Sequence, residues 1–298
     1  MTRPDPDTVH AAQHVARTAA GSAGVACTEP HDPTQLREVS ALFDHVWGRE
    51  GEAGAVLVAE ALAAIGHAGG QVTAAHHAGE LVGATAAFLG RDDDGRPFLH
   101  SHVTGVRDDV TARGIGAALK WHQRAWCLER GLTEVRWTFD PLVRRNLVFN
   151  LVRLGAQVDR YLVDAYGPMR DGRNHGLPTD RIVARWELTS RRVAAAAAGR
   201  PASPDVDALH RAGAAVALDV DPSGGPRVVT TDAPRRLLQV PADIEALRAH
   251  DPELAAAWSA AIRATLGTAL DAGARVSGAT REGWLVLSVD DQVAELAR

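Results

Sequence analysis

Lysine is almost missing from this chain: Lys120 is its one lysine, and arginine carries the rest of the fixed positive charge. Alanine and glycine are abundant, so the scarcity reads first as codon bias. Cysteine is scarce too. Cys27 and Cys127 stand far apart, which excludes a disulfide framework and a cysteine-based metal site. Aromatics are 5% of the residues, and only two of them are tyrosine. No apolar run approaches the length of a membrane span. The first residues, "MTRPDPDTVHAAQ", hold early acids and no apolar segment, so no secretory signal is expected and the reducing cytoplasm is the expected compartment. A net charge of −5 gives no general basic surface for nucleic acid or anionic membrane, so neither is an expected partner.

What is present is ample core material. A chain of 298 residues that is 46% hydrophobic can build one large or two modest domains. Residues 1–23 are polar and small, with Pro4 and Pro6, and read as a flexible tail or loose helix. "GVACTEP" reads as a short strand. "DPTQLREVSALFDHVWG" is a helix, opened by Asp32 and Pro33, with Leu36, Val39, Phe43 and Val46 at helical spacing. "AVLVAEALAAIGHAGG" is a second helix. The period then changes: "QVTAAHHAGELVGATAAFLG" is a hairpin about Ala78-Gly79, and "PFLHSHVTGV" a third strand. A helix from about Ala112 to Arg130 follows, then the strand "TEVRWTFD", the helix "LVRRNLVFNLVRLG", and two strands in "AQVDRYLVDAYG" and "DRIVARWEL". Strand and helix alternate only in the middle, which predicts an α+β, or mixed α/β, fold: a central mixed twisted sheet flanked by helices.

From about Ser190 the composition shifts. "RRVAAAAAGRPASPD" reads as a helix end and then a linker, and 191–298 as a C-terminal α/β extension with one strongly amphipathic helix, "PELAAAWSAAIRATLGTALDAG". The exposed edge of the last strand suggests a homodimer.

The stretch "VTARGIGAALK" places Gly114 and Gly116 at a helix start, which has two readings. The glycines relieve crowding between helix and sheet, or they let a pyrophosphate lie against bare backbone N–H groups at the positive end of the helix. A Rossmann fingerprint does not fit, since its third glycine is replaced by Leu119 and a hairpin precedes the strand.

The surroundings favour the anion. "VTGVRDDVTARGIGAALK", followed by "WTFDPLVRRNLVFNLVRLGA", resembles the coenzyme-binding region of the GNAT superfamily of acyl-CoA-dependent N-acyltransferases. "HSHVTGV", "AYG" and "LPTDRIVARWEL" resemble a bacterial branch of it whose chains also carry a C-terminal region. The resemblance covers about residues 25–189, and implies a GNAT acyltransferase domain at 24–190. It implies acetyl-CoA or another acyl-CoA such as succinyl-CoA as co-substrate, a small amine as acceptor, and no metal. It assigns coenzyme contacts to Val106, Thr111, Arg113, Gly114, Ile115, Gly116, Ala117 and Ala118, with Asn146 on the later helix; Asn150 is a further coenzyme candidate there or part of a solvated polar stripe. Asn146, Asn150 and Arg153 are spaced to share one face of that helix.

The chain departs from the pattern twice. Thr111 replaces the usual Gln or Arg. Leu151 stands nearest the tyrosine that many GNAT enzymes use as general acid, which motivates an alternative: a CoA-binding regulatory or scaffold protein with little or no catalysis.

Acyl transfer needs a group to take the proton of an amine whose pKa is near 10. His100 and His102 alternate on the strand entering the glycine motif and suit a base at neutral pH. "HSH" has no third ligand spaced to complete a metal site. Tyr166 is a candidate for the substitute acid or an amphipathic edge residue, with Tyr161 on the same expected strand. His45 and Trp47 are candidates for the acceptor pocket wall. Asp180 and Arg181 read as an ion pair, or Arg181 as the partner of a substrate carboxylate. "RDDDG" lacks the downstream Glu of a calcium loop and reads as a solvated turn.

Overall fold

The computed structural model describes residues 4–49, 55–167 and 178–289, and of residues 111–113 the backbone alone. The chain forms two compact units: Met1–Trp137 with Glu187–Thr189, and Thr138–Trp186 with Ser190–Arg298. The division falls inside a strand and not at the compositional shift near residue 190.

The first unit opens with a helix, not a tail: α1, Pro6–Ala23. Asp5 caps it by accepting from the Thr8 N–H, Pro6 supplies a preset φ in the first turn, and Gly24 closes it. Ala12, Ala16 and Ala23 are buried, so the stretch that composition alone leaves loose is held by a narrow alanine stripe. Then come β1 (Ala26–Thr28), α2 (Pro33–Val46), α3 (Ala59–His67), β2 (Gln71–His77), β3 (Glu80–Arg91), β4 (Pro97–Val106), α4 (Ile115–Glu129) and β5 (Glu134–Phe139). The strands pair in the order β1-β2-β3-β4-β5. The first four are mutually antiparallel and β4 runs parallel to β5, so the sheet is mixed.

Helices cover both faces. On one, Leu36, Val39, Phe43, Leu62 and Ile65 of α2 and α3 pack on Val72, Ala74, Ala84, Ala86 and Val103. On the other, Ile115, Ala118 and Leu119 of α4 pack with Ala23 and Val25 on Ala75 and Val82. The hairpin turn is Ala78-Gly79, both at positive φ (51° and 87°), as a turn matching the strand twist requires. In "RDDDG", Asp92 accepts from the Asp94 and Arg96 N–H groups, which closes a tight turn.

The second unit holds α5 (Arg144–Leu147), whose last turn widens into a π-helical stretch over Val148–Arg153, then β6 (Gln157–Leu162) and β7 (Arg181–Glu187), an antiparallel pair. The elements that follow are α6 (Arg191–Ala197), α7 (Val206–Arg211), β8 (Ala215–Val220), β9 (Pro226–Val228), β10 (Arg235–Gln239), α8 (Ile244–His250), α9 (Pro252–Ile262), α10 (Thr268–Asp271), β11 (Arg275–Ala279) and β12 (Trp284–Ser288). These five strands form a sheet in the order β11-β12-β10-β8-β9. The last strand, β12, is therefore internal, and the expected exposed edge for self-association is not there. The expected C-terminal amphipathic helix is α9 and α10, joined through a second π stretch at Arg263–Gly267.

No helix among the described residues is long and apolar enough to cross a membrane. No group of three or more His, Cys, Asp or Glu among them could hold a metal.

Candidate functional site

The glycine pair sits where the backbone needs it. A 3-10 turn over Asp108–Arg113 leads to Gly114, whose φ of 84° lies in the left-handed region. That reversal breaks the helix expected from Ala112, so α4 starts at Ile115. No side chain caps its first turn and no acid stands in it. The N–H groups at the start of a 15-residue helix are thus left without a side-chain acceptor, at its positive end. The side chains of Thr111 and Arg113 lie outside the described residues. Val106, the last residue of β4, packs against the apolar layer that holds Ile115 and Ala118. Beside the turn is an open cleft of about 600 Å³ lined by His45, Arg107, Asp108 and Asp109. Arg107 pairs with Asp109 at 2.7 Å. Trp47, at the end of α2, stacks edge-on to Phe43 and covers Gly105: a Cβ at residue 105 would lie 2.9 Å from its ring.

β4 and β5 are in register only at Leu99↔Val135 and His100↔Arg136, although β4 continues to Val106 and β5 to Phe139. Beyond His100 the two strands part. On its other edge β4 carries a bulge: Ala87 faces Ser101 and Ala86 faces Val103, so His102 is the extra residue. The bulge lets His102 and Val103 share a side of the sheet. His100 stacks on Phe88 (5.5 Å, 8°), His102 tilts against the same ring at 5.0 Å, and the two imidazoles are 6.1 Å apart. Phe88 belongs to the α2–α3 face, so both histidines do. Burial, the neighbouring His102 and the charge of Lys120 hold His100 below the ordinary imidazole range. Burial lowers His102 also, although the residue as a whole is exposed. Both rings are neutral at pH 7 and able to accept a proton.

A buried polar cluster lies on the opposite face, beneath the point where the strands part. Lys120 is 5% exposed. Its Nζ donates to Ser101 Oγ at 2.8 Å and to Gln123 Oε1 at 3.0 Å, and sits 4.1 Å from the centre of the Trp137 ring. Gln123 in turn donates to Gln71 Oε1 at 2.9 Å. Gln71 Nε2 and Thr73 Oγ1 are buried with no partner among the described residues. Burial pulls the Lys120 ammonium down to about 7. Sequence reasoning passed over this residue as codon bias. The available signal was a lone lysine in an arginine chain, one turn into the helix after the glycines.

In the second unit, the remaining candidates are placed as follows. Tyr166 is not on a strand. β6 ends at Leu162, and Tyr166 lies in the turn after it, its hydroxyl 2.6 Å from Thr138 Oγ1 and half exposed. Arg181 is buried, and its guanidinium lies 5.6 Å from the centre of the Tyr166 ring. The expected Asp180–Arg181 ion pair does not form: Arg181 donates to the Asp180 backbone carbonyl. Asp180 instead accepts from Arg263 (2.8 Å at Nε), from the Tyr161 hydroxyl (2.6 Å) and from the Asp164 N–H (3.0 Å). Burial would raise the Asp180 carboxyl, but the bonds from Arg263 and Tyr161 outweigh it and hold it low. Burial and Asp180 push Tyr161 far up, so it remains a neutral donor. Asn146, Asn150 and Arg153 do not share a face. The π turn inserts an extra residue, leaving Asn150 buried and Arg153 exposed, with Asn146 between the two states. Leu151 is buried at 1% exposure.

No family model matches this chain, and no curated protein does. Solved structures do resemble it. An acetyltransferase of the GNAT family from Streptococcus pneumoniae is 12% identical over 54% of this chain and 98% of its own, with a TM-score of 0.44. Naa50 of Arabidopsis thaliana, in complex with a bisubstrate analogue of CoA, is 18% identical over 54% of this chain and 97% of its own, at 0.42. A GNAT family acetyltransferase from Elizabethkingia anophelis with acetyl-CoA bound is 13% identical over 55% and 98%, at 0.40. The chain's own features are a mixed sheet covered on both faces, β4 bulged and parting from β5, and a glycine turn leading into α4.

Proposed function

We propose that the chain is an acyl-CoA-dependent N-acyltransferase that moves an acetyl or succinyl group from the coenzyme to a small amine. One observation carries this reading: the uncapped first turn of α4, behind Gly114, adjoins the strand that parts from β5. The N–H groups of Ile115, Gly116 and Ala117 hold the pyrophosphate, where a helix N-terminus favours negative charge. The pantetheine arm then lies along β4. Its thioester carbonyl meets backbone N–H groups that the parted strand leaves without a β5 partner.

A neutral amine attacks the carbonyl carbon, the C–S bond breaks, and the leaving thiolate takes a proton. His102, with His100 beside it, accepts the amine proton. Their depressed pKa values keep both rings unprotonated at pH 7. His45 and Trp47 bound the acceptor side. Tyr166 as acid, Arg181 as partner of a substrate carboxylate, and Asn146 and Asn150 as coenzyme contacts remain separate proposals, each tested by its own substitution.

The test is a panel of amines and amino acids incubated with acetyl-CoA or succinyl-CoA, read by mass spectrometry. Acylated product, lost in His102→Gln with coenzyme affinity retained, is the expected result. A second reading, a coenzyme-binding protein without turnover, is favoured by buried Leu151 at the position nearest the family's tyrosine. Calorimetric binding of CoA with no thiol release from any acceptor would establish that reading.

A further inference from the structure

A buried ammonium is costly unless something offsets its charge. Among the described residues, Lys120 has no carboxylate partner; its contacts are a hydroxyl, an amide oxygen and an indole face. Two of those contacts mark its place. Ser101 follows His100, the last β4 residue in register with β5, and Trp137 follows Arg136, the last β5 residue in register with β4. The ammonium therefore fills the notch where the two strands separate. The groups that face it are few. His100 on β4 feels its charge, and Cys127 lies further along α4; β5 contributes Trp137, and β2 contributes Gln71 through Gln123.

We propose that Lys120 is a charge-positioning residue: from the notch between β4 and β5 it supplies the positive charge against which negative charge develops on an acyl thioester lying along β4. The proposal rests on the acyl-CoA reading and deepens it. It explains why a buried amine stands there with no carboxylate beside it: attack on the thioester creates an alkoxide-like oxygen, and a proton held on Lys120 as that charge develops, in a poorly hydrated site, stabilises that state over the neutral substrate. Lys120 acts through the field and through Ser101, and does not touch the reacting atoms.

Because the chain has one lysine, protein grown on lysine labelled with ¹³C at Cε gives a single side-chain signal. Its shift against pH reads the charge of Lys120 directly. The titration is run on the full chain alone, with acetyl-CoA, and with S-carboxymethyl-CoA, a thioether that presents a carboxylate one bond beyond the place of the acyl carbonyl carbon. S-carboxymethyl-CoA is expected to move the midpoint up by about one pH unit or more relative to acetyl-CoA. Lys120→Met is expected to weaken S-carboxymethyl-CoA about tenfold with acetyl-CoA affinity kept within about twofold, and Lys120→Arg to restore the preference. A midpoint that stays put with both ligands bound overturns the proposal and leaves the coenzyme site standing. Failure of the wild-type protein to bind either ligand in calorimetry overturns the acyl-CoA reading, and this proposal with it. Where the methionine variant does not fold, the wild-type titration and the arginine variant decide the matter.

Discussion

At the scale of single residues, two titrations follow from burial. Lys120 loses its proton near 7 in the folded chain but near 10.5 when unfolded. Between those values the unfolded state binds the extra proton, so this group makes stability rise with pH across that window. Chemical denaturation at pH 7 and pH 9 should show the rise in the wild type and a flatter dependence in Lys120→Met. His100 works on the acid side. Its folded pKa lies below the unfolded 6.5, so stability is intact above 6.5 and is lost as pH falls through the folded value. His100→Gln should reduce the loss between pH 7 and pH 5, read by urea midpoints. Gly114 makes a steric claim: alanine there must adopt a φ of 84°, at a cost of about 1–2 kcal/mol. Gly114→Ala should lower Tm and weaken coenzyme binding together, by thermal melts and calorimetry.

At the scale of elements, the hairpin between β2 and β3 holds a correctable strain. Ala78 is exposed and sits at a φ of 51°. Asparagine tolerates that conformation, so Ala78→Asn should stabilise the fold by about 0.5–1 kcal/mol, seen as a higher Tm. Arg263 makes the opposite case. It donates two bonds to buried Asp180, and Arg263→Ala leaves that carboxylate with the Tyr161 hydroxyl and one N–H. A loss of about 1–3 kcal/mol is expected, the range for stranding a buried acceptor, reduced here because Arg263 itself is partly exposed. Asp180–Arg263 also shows where sequence reading stops. Adjacent Asp180 and Arg181 suggested a local pair, but the partner comes from a helix 83 positions on. Local signals did name most elements: proline and aspartate opened α2, alternation set β5, and the positive-φ turn residues set the hairpin. The π stretches at Val148–Arg153 and Arg263–Gly267 left no local signature, and one of them undid the shared face read for Asn146, Asn150 and Arg153. The parallel pairing of β8 with β10 depends on contacts between separate segments, which periodicity does not encode. At the candidate site, the glycine turn and the paired histidines were legible; the Lys120 cluster was not, because its meaning comes from tertiary burial.

At the scale of the whole chain, composition drew a boundary near residue 190, whereas Thr138–Trp186 and Ser190–Arg298 form one compact unit. That unit is tied internally: Arg192 donates to the Leu151 carbonyl at 3.0 Å, and Arg248 meets Asp140 at 2.6 Å. A chain ending at Thr189 keeps β6 and β7 but loses these partners along with Arg263. It should elute as aggregate or expanded species in size exclusion, with reduced far-UV ellipticity. The solitary, enclosed ε-amine has a practical side as well. Amine-directed reagents should leave Lys120 unmarked in the folded state, and label should enter there only as the core opens. Label found at Lys120 would then count opened molecules one by one.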